Sequence, residues 1–239
     1  MTYESAAAVG PQSNASEPMI PSETLDALKG IDTPTLCNAI EEFRVRDRTE
    51  GFMGFDIKCL FPALGTMTGY AITCTGRSTV PGPPGDRAGA VRLWEAVERS
   101  PKPCVIVLET IGPDRTRSCH YGDMMATLSK RLGAIGLVTD GGVRDVRTVE
   151  ELGFHYFAAG VTPAHGNNEI VDVGLEITVS GAVVNTGDII HADENGVAVF
   201  PASRAGDLIE AAARVYENEA ERMARYNAPD FTLDELRTP

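Results

Sequence analysis

The apolar positions in the middle of the chain alternate between helical spacing and short continuous runs. Helices are predicted over residues 88–99, 122–132 and 144–152. Apolar runs typical of strands buried on both faces lie at 104–108, 135–138 and 156–159. This alternating order predicts a parallel α/β layer. In the second helix the apolar side chains are expected to point inward: Met124, Met125, Leu128 and Leu132.

Weaker patterns flank this layer. Residues 1–20 are rich in Ala, Ser, Pro and Gly, which predicts a flexible tail before one folded domain at 21–239. Further helices are predicted over 22–30, from Thr33 onward, and over 203–226. Short strands broken by glycine are expected between 175 and 200. The predicted fold class is therefore α/β: a single-domain, layered α/β/α-type sandwich with a mostly parallel central sheet and short C-terminal strands.

Charge and cysteine content narrow the function classes. The 239 residues include 21 Lys and Arg against 34 Asp and Glu, a net charge of −13. A nucleic-acid-binding surface, which would need clustered basic residues, is therefore not expected. No apolar run is long enough to cross a bilayer, so no membrane association is expected either. The five cysteines are odd in number and form no C-x-x-C pair, which favours reduced thiols in the cytoplasm.

Two short segments at predicted element junctions carry the candidate chemistry. Asp123 opens a predicted helix, whose first amides, those of Met124 and Met125, lack intrahelical partners and can donate to an anion. Arg144 and Asp145 follow a strand and a predicted Gly-Gly turn. The Arg144 guanidinium suits a carboxylate, and the Asp145 oxygens suit Mg²⁺ or Mn²⁺. On the residues alone, a helix cap at Asp123 and a solvated ion pair at 144–145 remain open alternatives.

These two segments resemble the signature of a known family. Residues 122–126 (GDMMA) and 140–145 (DGGVRD) are similar to the RraA-like family, which includes 4-hydroxy-4-methyl-2-oxoglutarate aldolase and the regulator of ribonuclease activity A. The resemblance extends through 157–163 and 187–201 and covers about residues 22–225. Its enzymes are metal-dependent class II lyases that assemble as trimers or hexamers. The resemblance therefore implies a homotrimer or homohexamer here.

Carried over residue by residue, the resemblance implies a metal site. Asp145 would bind Mg²⁺ or Mn²⁺ directly. Asp123 would hold the cation through water and take part in proton transfer. Glu219, on the C-terminal helix of a neighbouring subunit, would contact the metal waters.

The resemblance also implies how a small oxo acid would bind. Arg144 would bind a carboxylate or oxo oxygen of the substrate. Next to Gly122, the amides of Met124 and Met125 would hold the pyruvyl carboxylate. The expected activity is cleavage of a 2-oxo dicarboxylic acid such as 4-hydroxy-4-methyl-2-oxoglutarate to release pyruvate, with oxaloacetate decarboxylation at the same site. The alternative is a regulatory protein that inhibits an RNA-processing ribonuclease.

Two segments depart from the family pattern. The turn before the helix at 88–99 usually reads P-G-D-N, whereas this chain has Arg87 in place of the Asn. The segment 164–169 has no family counterpart.

A further pair, Cys119 and His120, suggests a nucleophile and a base, but neighbours in sequence rarely face each other, so a structural role is favoured.

Overall fold

The computed structural model describes residues 20–44, 46–83 and 85–237. Apart from Ile20, the predicted tail at 1–20 lies outside the described residues. The Ile20 amide donates to the Tyr70 hydroxyl at 2.7 Å, so the chain is already attached to the domain there.

In the described ranges, the helices and strands follow the predicted alternation with additions. The helices are α1 (Ser22–Lys29), α2 (Thr33–Glu41), α3 (Arg87–Arg99), α4 (Asp123–Arg131), α5 (Val146–Leu152) and α6 (Ala205–Tyr226). The first strands are β1 (Lys58–Cys59), β2 (Met67–Arg77), β3 (Cys104–Thr110), β4 (Cys119–Tyr121), β5 (Ala134–Val143) and β6 (His155–Val161). The remaining strands are β7 (Glu169–Val173), β8 (Ile177–Val179), β9 (Ala182–Val184), β10 (Ile189–Asp193) and β11 (Gly196–Phe200). Strands β1, β4 and β7 were not predicted.

The central strands are parallel and the edges are antiparallel. The main sheet has the order β1-β6-β5-β3-β2-β10-β11, with β4 added beside β5 and β7 beside β2. Strands β2, β3, β5 and β6 run parallel, and for β3, β5 and β6 the alternating pattern predicted this. Strands β1, β7 and β10 pair antiparallel with their neighbours. The predicted α/β domain with parallel central strands is confirmed.

The layered sandwich with helices on both faces is not confirmed. One core contains buried residues from all six helices, among them Leu36 and Leu208, against one face of the sheet. The other face packs on the hairpin β8–β9 through Val105, Val107 and Val179. Among the residues that the structure describes, the buried members of this second core include none from a helix. A β-hairpin therefore replaces the helices expected on that face.

The predicted Gly-Gly turn at 141–142 is wrong, because β5 continues through it to Val143. A Cβ at Gly141 would lie 2.3 Å from Thr110 Oγ1, and one at Gly142 would lie 2.6 Å from the Ser118 carbonyl oxygen. These glycines let neighbouring segments approach β5 closely instead of turning the chain.

The inward orientation predicted for all four apolar residues of α4 is also wrong. Met124 is 79% exposed and Leu128 is 37% exposed, whereas Met125 and Leu132 are partly buried against the core. The side chains of α4 that are fully buried are the smaller Ala126 and Ser129. The helix therefore turns a narrower face to the sheet than its apolar pattern suggested.

We predict that Gly89→Ala in α3 destabilises the protein, although alanine normally favours a helix by about 0.5–1 kcal/mol over glycine. A Cβ at Gly89 would lie 1.7 Å from the carbonyl oxygen of Ile170 in β7, so the helix would have to move. The matched control is Gly206→Ala in α6, where nothing lies within 4 Å. Urea unfolding should show a loss for the first variant and no loss for the second. A stabilised Gly89→Ala would contradict this packing.

Candidate active site

Two paired strands bring the candidate segments together. Strand β4 lies parallel to β5, with Tyr121 opposite Val143. The residues that follow each strand are therefore adjacent, although 22 positions separate Asp123 from Asp145. The Arg144 amide donates to the Tyr121 carbonyl at 2.9 Å and holds the two strand ends together. This pairing depends on a three-residue strand that the hydrophobic pattern did not reveal.

Asp145 has a backbone conformation that directs its side chain across to α4. Its φ of 57° and ψ of 34° lie in the left-handed region, which Asp tolerates better than most residues. It occupies the N-cap of α5, but its carboxylate makes no hydrogen bond to that helix. Instead, Oδ2 accepts a hydrogen bond from the Asp123 amide at 3.2 Å. The Asp145 side chain therefore does not act as a hydrogen-bonding cap of α5.

Arg144 and Asp145 form an ion pair whose side chains are about one-third exposed. Arg144 Nε lies 3.3 Å from Asp145 Oδ2, and the side chains are 34% and 33% exposed. Such a pair in contact with water adds little to folding stability. Both side chains remain accessible to a small molecule, and each presents further donors or acceptors beyond this contact.

Gly122 leaves the space that this arrangement needs. A Cβ at this position would lie 2.4 Å from Asp145 Oδ2 and 2.9 Å from Arg144 Nε. Both functional side chains therefore lie over the bare backbone at the start of α4. The four residues Gly122, Asp123, Arg144 and Asp145 form what we call the RD site.

The amides of α4 are arranged differently from the expectation. The Met124 amide donates to Asp123 Oδ1 at 2.7 Å, so in this structure it already has an acceptor. Met125 follows in the same first turn, and its side chain is partly buried against the core. The Met124 side chain points outward and lines a surface groove together with Met125.

Glu219 is not brought to the RD site by this chain's own contacts. It lies on α6, where its Oε1 accepts a hydrogen bond from Asn38 Nδ2 at 3.1 Å. Both residues line a separate concavity between α2 and α6, together with Val215 and Arg222. The role predicted for Glu219 on a neighbouring subunit therefore stays a prediction.

Cys119 and His120 lie beside the site but face the interior, as their favoured structural role predicted. Burial raises the pKa of the Cys119 thiol to about 11, and the Arg144 charge only partly offsets this effect. Burial also lowers the pKa of His120, which keeps the imidazole neutral. A thiol that stays protonated near neutral pH is a poor nucleophile.

Sequence reasoning missed two groups next to the site. Asn168, in the segment 164–169, donates to the His120 carbonyl at 3.0 Å and contacts His120 Nδ1 at 3.2 Å. Tyr156 lies buried beneath the site, and its pKa is raised by burial, with further contributions from the charges of Asp145 and Asp123. Asn168 carried no signal that could have revealed this contact. Tyr156 belongs to an apolar strand pattern that indicated only packing.

The RD site offers donors that fit a hydrated divalent cation. Its carboxylates, from Asp123 and Asp145, are hard oxygen ligands. Mg²⁺ usually binds through one or two carboxylates and keeps several waters. Within the described ranges, no group of three or more His, Cys, Asp or Glu side chains is arranged to hold a metal ion. A cation at the RD site would therefore depend on two carboxylates of this chain and on ligands from outside it.

Comparison with known proteins decides the family. The family model described as RraA-like, Aldolase/RraA, matches residues 33–199. The chain belongs to the RraA-like family. This match contains the whole RD site as well as β2 to β10, so the family resemblance seen in the motifs is confirmed.

Named relatives support the same assignment over part of their length. The chain is 32% identical over 119 residues to a Halalkalibacterium halodurans protein named "Putative 4-hydroxy-4-methyl-2-oxoglutarate aldolase", covering 49% of this chain and 56% of that protein. It is 29% identical over 143 residues to Protein DlpA of Legionella pneumophila, covering 59% of this chain and 23% of that protein. The chain thus spans about half or less of the length of these two relatives.

Solved structures share the fold. Streptomyces coelicolor RraAS2, described as an unusual member of the RNase ES inhibitor RraA family, has a TM-score of 0.68 at 23% identity and covers 88% of this chain and 99% of its own. An uncharacterised Pseudomonas syringae protein has a TM-score of 0.70 at 23% identity and covers 95% and 99%. At this identity the similarity establishes the RraA-like fold and not the activity. In the portion of the chain that is described, no helix has the length and apolar character required to span a membrane.

We predict that Gly122→Ala disrupts the RD site, because the new Cβ would overlap the Asp145 carboxylate. The atoms that the new Cβ would meet belong to partly exposed side chains that can move aside, so the unfolding free energy should change little. The variant should nevertheless bind Mn²⁺ at least tenfold more weakly in calorimetric titration. Gly160→Ala in β6 is the control, because nothing lies within 4 Å of a Cβ there. Unchanged Mn²⁺ affinity in Gly122→Ala would show that the RD site is not the cation site.

Proposed function

We propose that this protein is a divalent-metal-dependent carbon–carbon lyase that releases pyruvate from a 2-oxo dicarboxylic acid. Candidate substrates are 4-hydroxy-4-methyl-2-oxoglutarate, by aldol cleavage, and oxaloacetate, by decarboxylation. The observation that carries the proposal is the RD site, where Arg144 and Asp145 lie over Gly122 and the Asp145 carboxylate accepts a hydrogen bond from the Asp123 amide. Membership of the RraA-like family and the names of the relatives support the same reaction class.

Arg144 supplies the positive charge that the substrate requires. Its guanidinium is a planar fork of donors that matches a carboxylate or a carboxylate together with a neighbouring oxo oxygen. A fixed guanidinium also stabilises negative charge that develops on the oxo oxygen as the bond breaks. This local charge matters because the chain as a whole carries −13 and repels acidic substrates elsewhere.

The two aspartates have different tasks. Asp145 would hold Mg²⁺ or Mn²⁺ directly, and Asp123 would hold it through water. When bound, the cation would act as a Lewis acid that stabilises charge on the 2-oxo group and orients it. Asp123 would also accept the 4-hydroxyl proton of an aldol substrate or relay it through a water. The amides of Met124 and Met125 would bind the pyruvyl carboxylate after Met124 exchanges its bond to Asp123 for one to the substrate.

We further propose that the active form is a homotrimer or homohexamer. A cation at the RD site needs ligands beyond Asp123 and Asp145, and Glu219 from a neighbouring copy is the candidate. Glu219 is partly exposed on α6 and lines an open concavity, so a neighbouring copy could reach it.

The second candidate function is regulation of a ribonuclease by direct binding. The net charge of −13 favours this alternative, because an acidic surface can cover a basic partner. Pure binding would not require the RD site. Co-purification with a ribonuclease, inhibition of that enzyme, and failure to cleave any 2-oxo acid would together favour regulation over catalysis.

We predict that Asp145→Asn lowers kcat for pyruvate release on the order of 10²–10³-fold, the usual effect of losing one preorganised electrostatic group. The substitution removes the charge and keeps the size of the side chain. Asp26→Asn is the matched control, since Asp26 lies in an exposed ion pair with Lys29 on α1. Pyruvate is measured with lactate dehydrogenase for both candidate substrates. Full activity in Asp145→Asn would defeat the proposed role.

We also predict that chelation of divalent cations abolishes pyruvate release and that added Mg²⁺ or Mn²⁺ restores it. The reason is that Arg144 alone would have to stabilise all the charge of the transition state. The measurement is the initial rate before and after treatment with EDTA, followed by titration with each cation. Turnover that persists after complete removal of metal would contradict a class II mechanism.

A further inference from the structure

A surface groove begins beside the RD site and runs between α3 and α4. Its volume is ≈ 580 Å³, within the range of sites for whole small molecules. Its apolar lining comes from both helices and from β7: Ala90, Trp94, Met124, Met125, Leu128 and Ile170. We call it the α3–α4 groove. Its volume and apolar lining exceed what a short, highly polar oxo diacid requires.

The direction of the two helices places the groove relative to the RD site. Helices α3 and α4 precede the parallel neighbours β3 and β5, so both helices begin at the same edge of the sheet. Arg87, the first residue of α3, therefore lies at the end of the groove nearest Asp123. Arg131 lies eight residues after Asp123, about 12 Å further along the helix axis. The groove thus carries a guanidinium towards each end.

These two arginines are among the cations of this acidic protein that form no ion pair within the described residues. Among the ion pairs of the described residues, neither Arg87 nor Arg131 has a carboxylate partner, whereas Arg77, Arg99, Arg115, Arg144, Arg204 and Arg225 do. The acidic residue in the lining is Asp86, and its carboxylate accepts from the Ala88 amide as a helix cap. In a chain with a net charge of −13, two unpaired guanidiniums on one apolar groove are complementary to an organic anion.

Trp94 supplies a further polar group in the floor of the groove. Its indole Nε1 is buried and has no hydrogen-bond acceptor among the described residues. A buried donor without an acceptor is unfavourable, and a small side-chain adjustment would let an acceptor on a bound molecule relieve it. Trp94 is also the single tryptophan of the sequence, so its fluorescence reports directly on this groove.

The segment 164–169 contributes to this groove. Arg87 and Asn168 both line the groove, and Asn168 belongs to that segment. The preceding residue, Asn167, donates from its side chain to the carbonyls of Val80 and Gly82 at 3.0 Å. The unusual segment therefore fixes the loop that leads into α3.

We propose that the α3–α4 groove binds the non-pyruvyl half of the substrate, and that this half is an organic anion with an apolar body. Arg131, towards the far end of the groove, binds its anionic group, and the lining around Trp94 and Met125 packs on its apolar part. This inference rests on the proposed lyase function for its role in catalysis. The groove itself can be tested without that reaction.

The test uses octanoate as a non-reactive probe and follows Trp94 fluorescence in the full-length protein. Octanoate should change the fluorescence saturably, and octanamide, which lacks the charge, should bind at least tenfold more weakly. Arg131→Gln, alone or combined with Arg87→Gln, should weaken octanoate binding about tenfold or more, because hydrogen bonds to charged groups are worth about 1.5–3 kcal/mol. Arg99→Gln, at the exposed end of α3, is the matched control and should bind as the parent does.

Three outcomes would overturn the proposal: no fluorescence response to octanoate, equal affinity for octanamide, or unchanged affinity in the Arg87→Gln/Arg131→Gln double variant. Circular dichroism checks that the variants fold. The lyase function is tested separately by exchange of the pyruvate methyl protons in D₂O with Mg²⁺, which needs the RD site and not the groove. Absent exchange with intact octanoate binding would refute the lyase and leave the groove, and the reverse result would refute the groove alone.

Discussion

The parallel pairing of β4 with β5 is the contact on which the candidate site depends. Two segments distant in sequence become neighbours because Tyr121 lies opposite Val143 and the Arg144 amide bonds to the Tyr121 carbonyl. The left-handed backbone at Asp145 then directs its carboxylate to the start of α4 and away from its own helix. Without this register, Asp123 and Arg144 would be ordinary surface residues at unrelated helix ends.

The site combines charge with access. Arg144 and Asp145 are paired closely enough to hold each other in position, yet both remain about one-third exposed. A fully buried pair would be costly to desolvate and closed to a substrate, whereas a fully solvated pair would be poorly oriented. Around them the chain is strongly acidic, so positive charge is confined to particular places. The RD site is one such place and the α3–α4 groove is another.

Most of the regular elements followed from the hydrophobic pattern. The alternation between residues 88 and 159 predicted the helices and the central parallel strands, because buried strands need continuous apolar runs and packed helices need one apolar face. The pattern failed where packing overrides local character. It suggested a turn at Gly141 and Gly142. These glycines instead lie within β5, where the lack of a side chain lets Thr110 and Ser118 approach closely. It also placed Met124 inside, although the small residues of α4 face the sheet.

The amino-acid sequence by itself determined the family, the α/β class and the identity of the RD site residues, because motif chemistry and periodicity are local properties. Only the tertiary structure decided how those residues meet. The proximity of Asp123 and Asp145 depends on a three-residue strand and one left-handed residue, and neither has a periodicity that a pattern could reveal. The groove likewise joins Arg87, Arg131 and Asn168 from three separate segments. Such contacts depend on strand order and helix direction, which arise only when distant parts of the chain pack together.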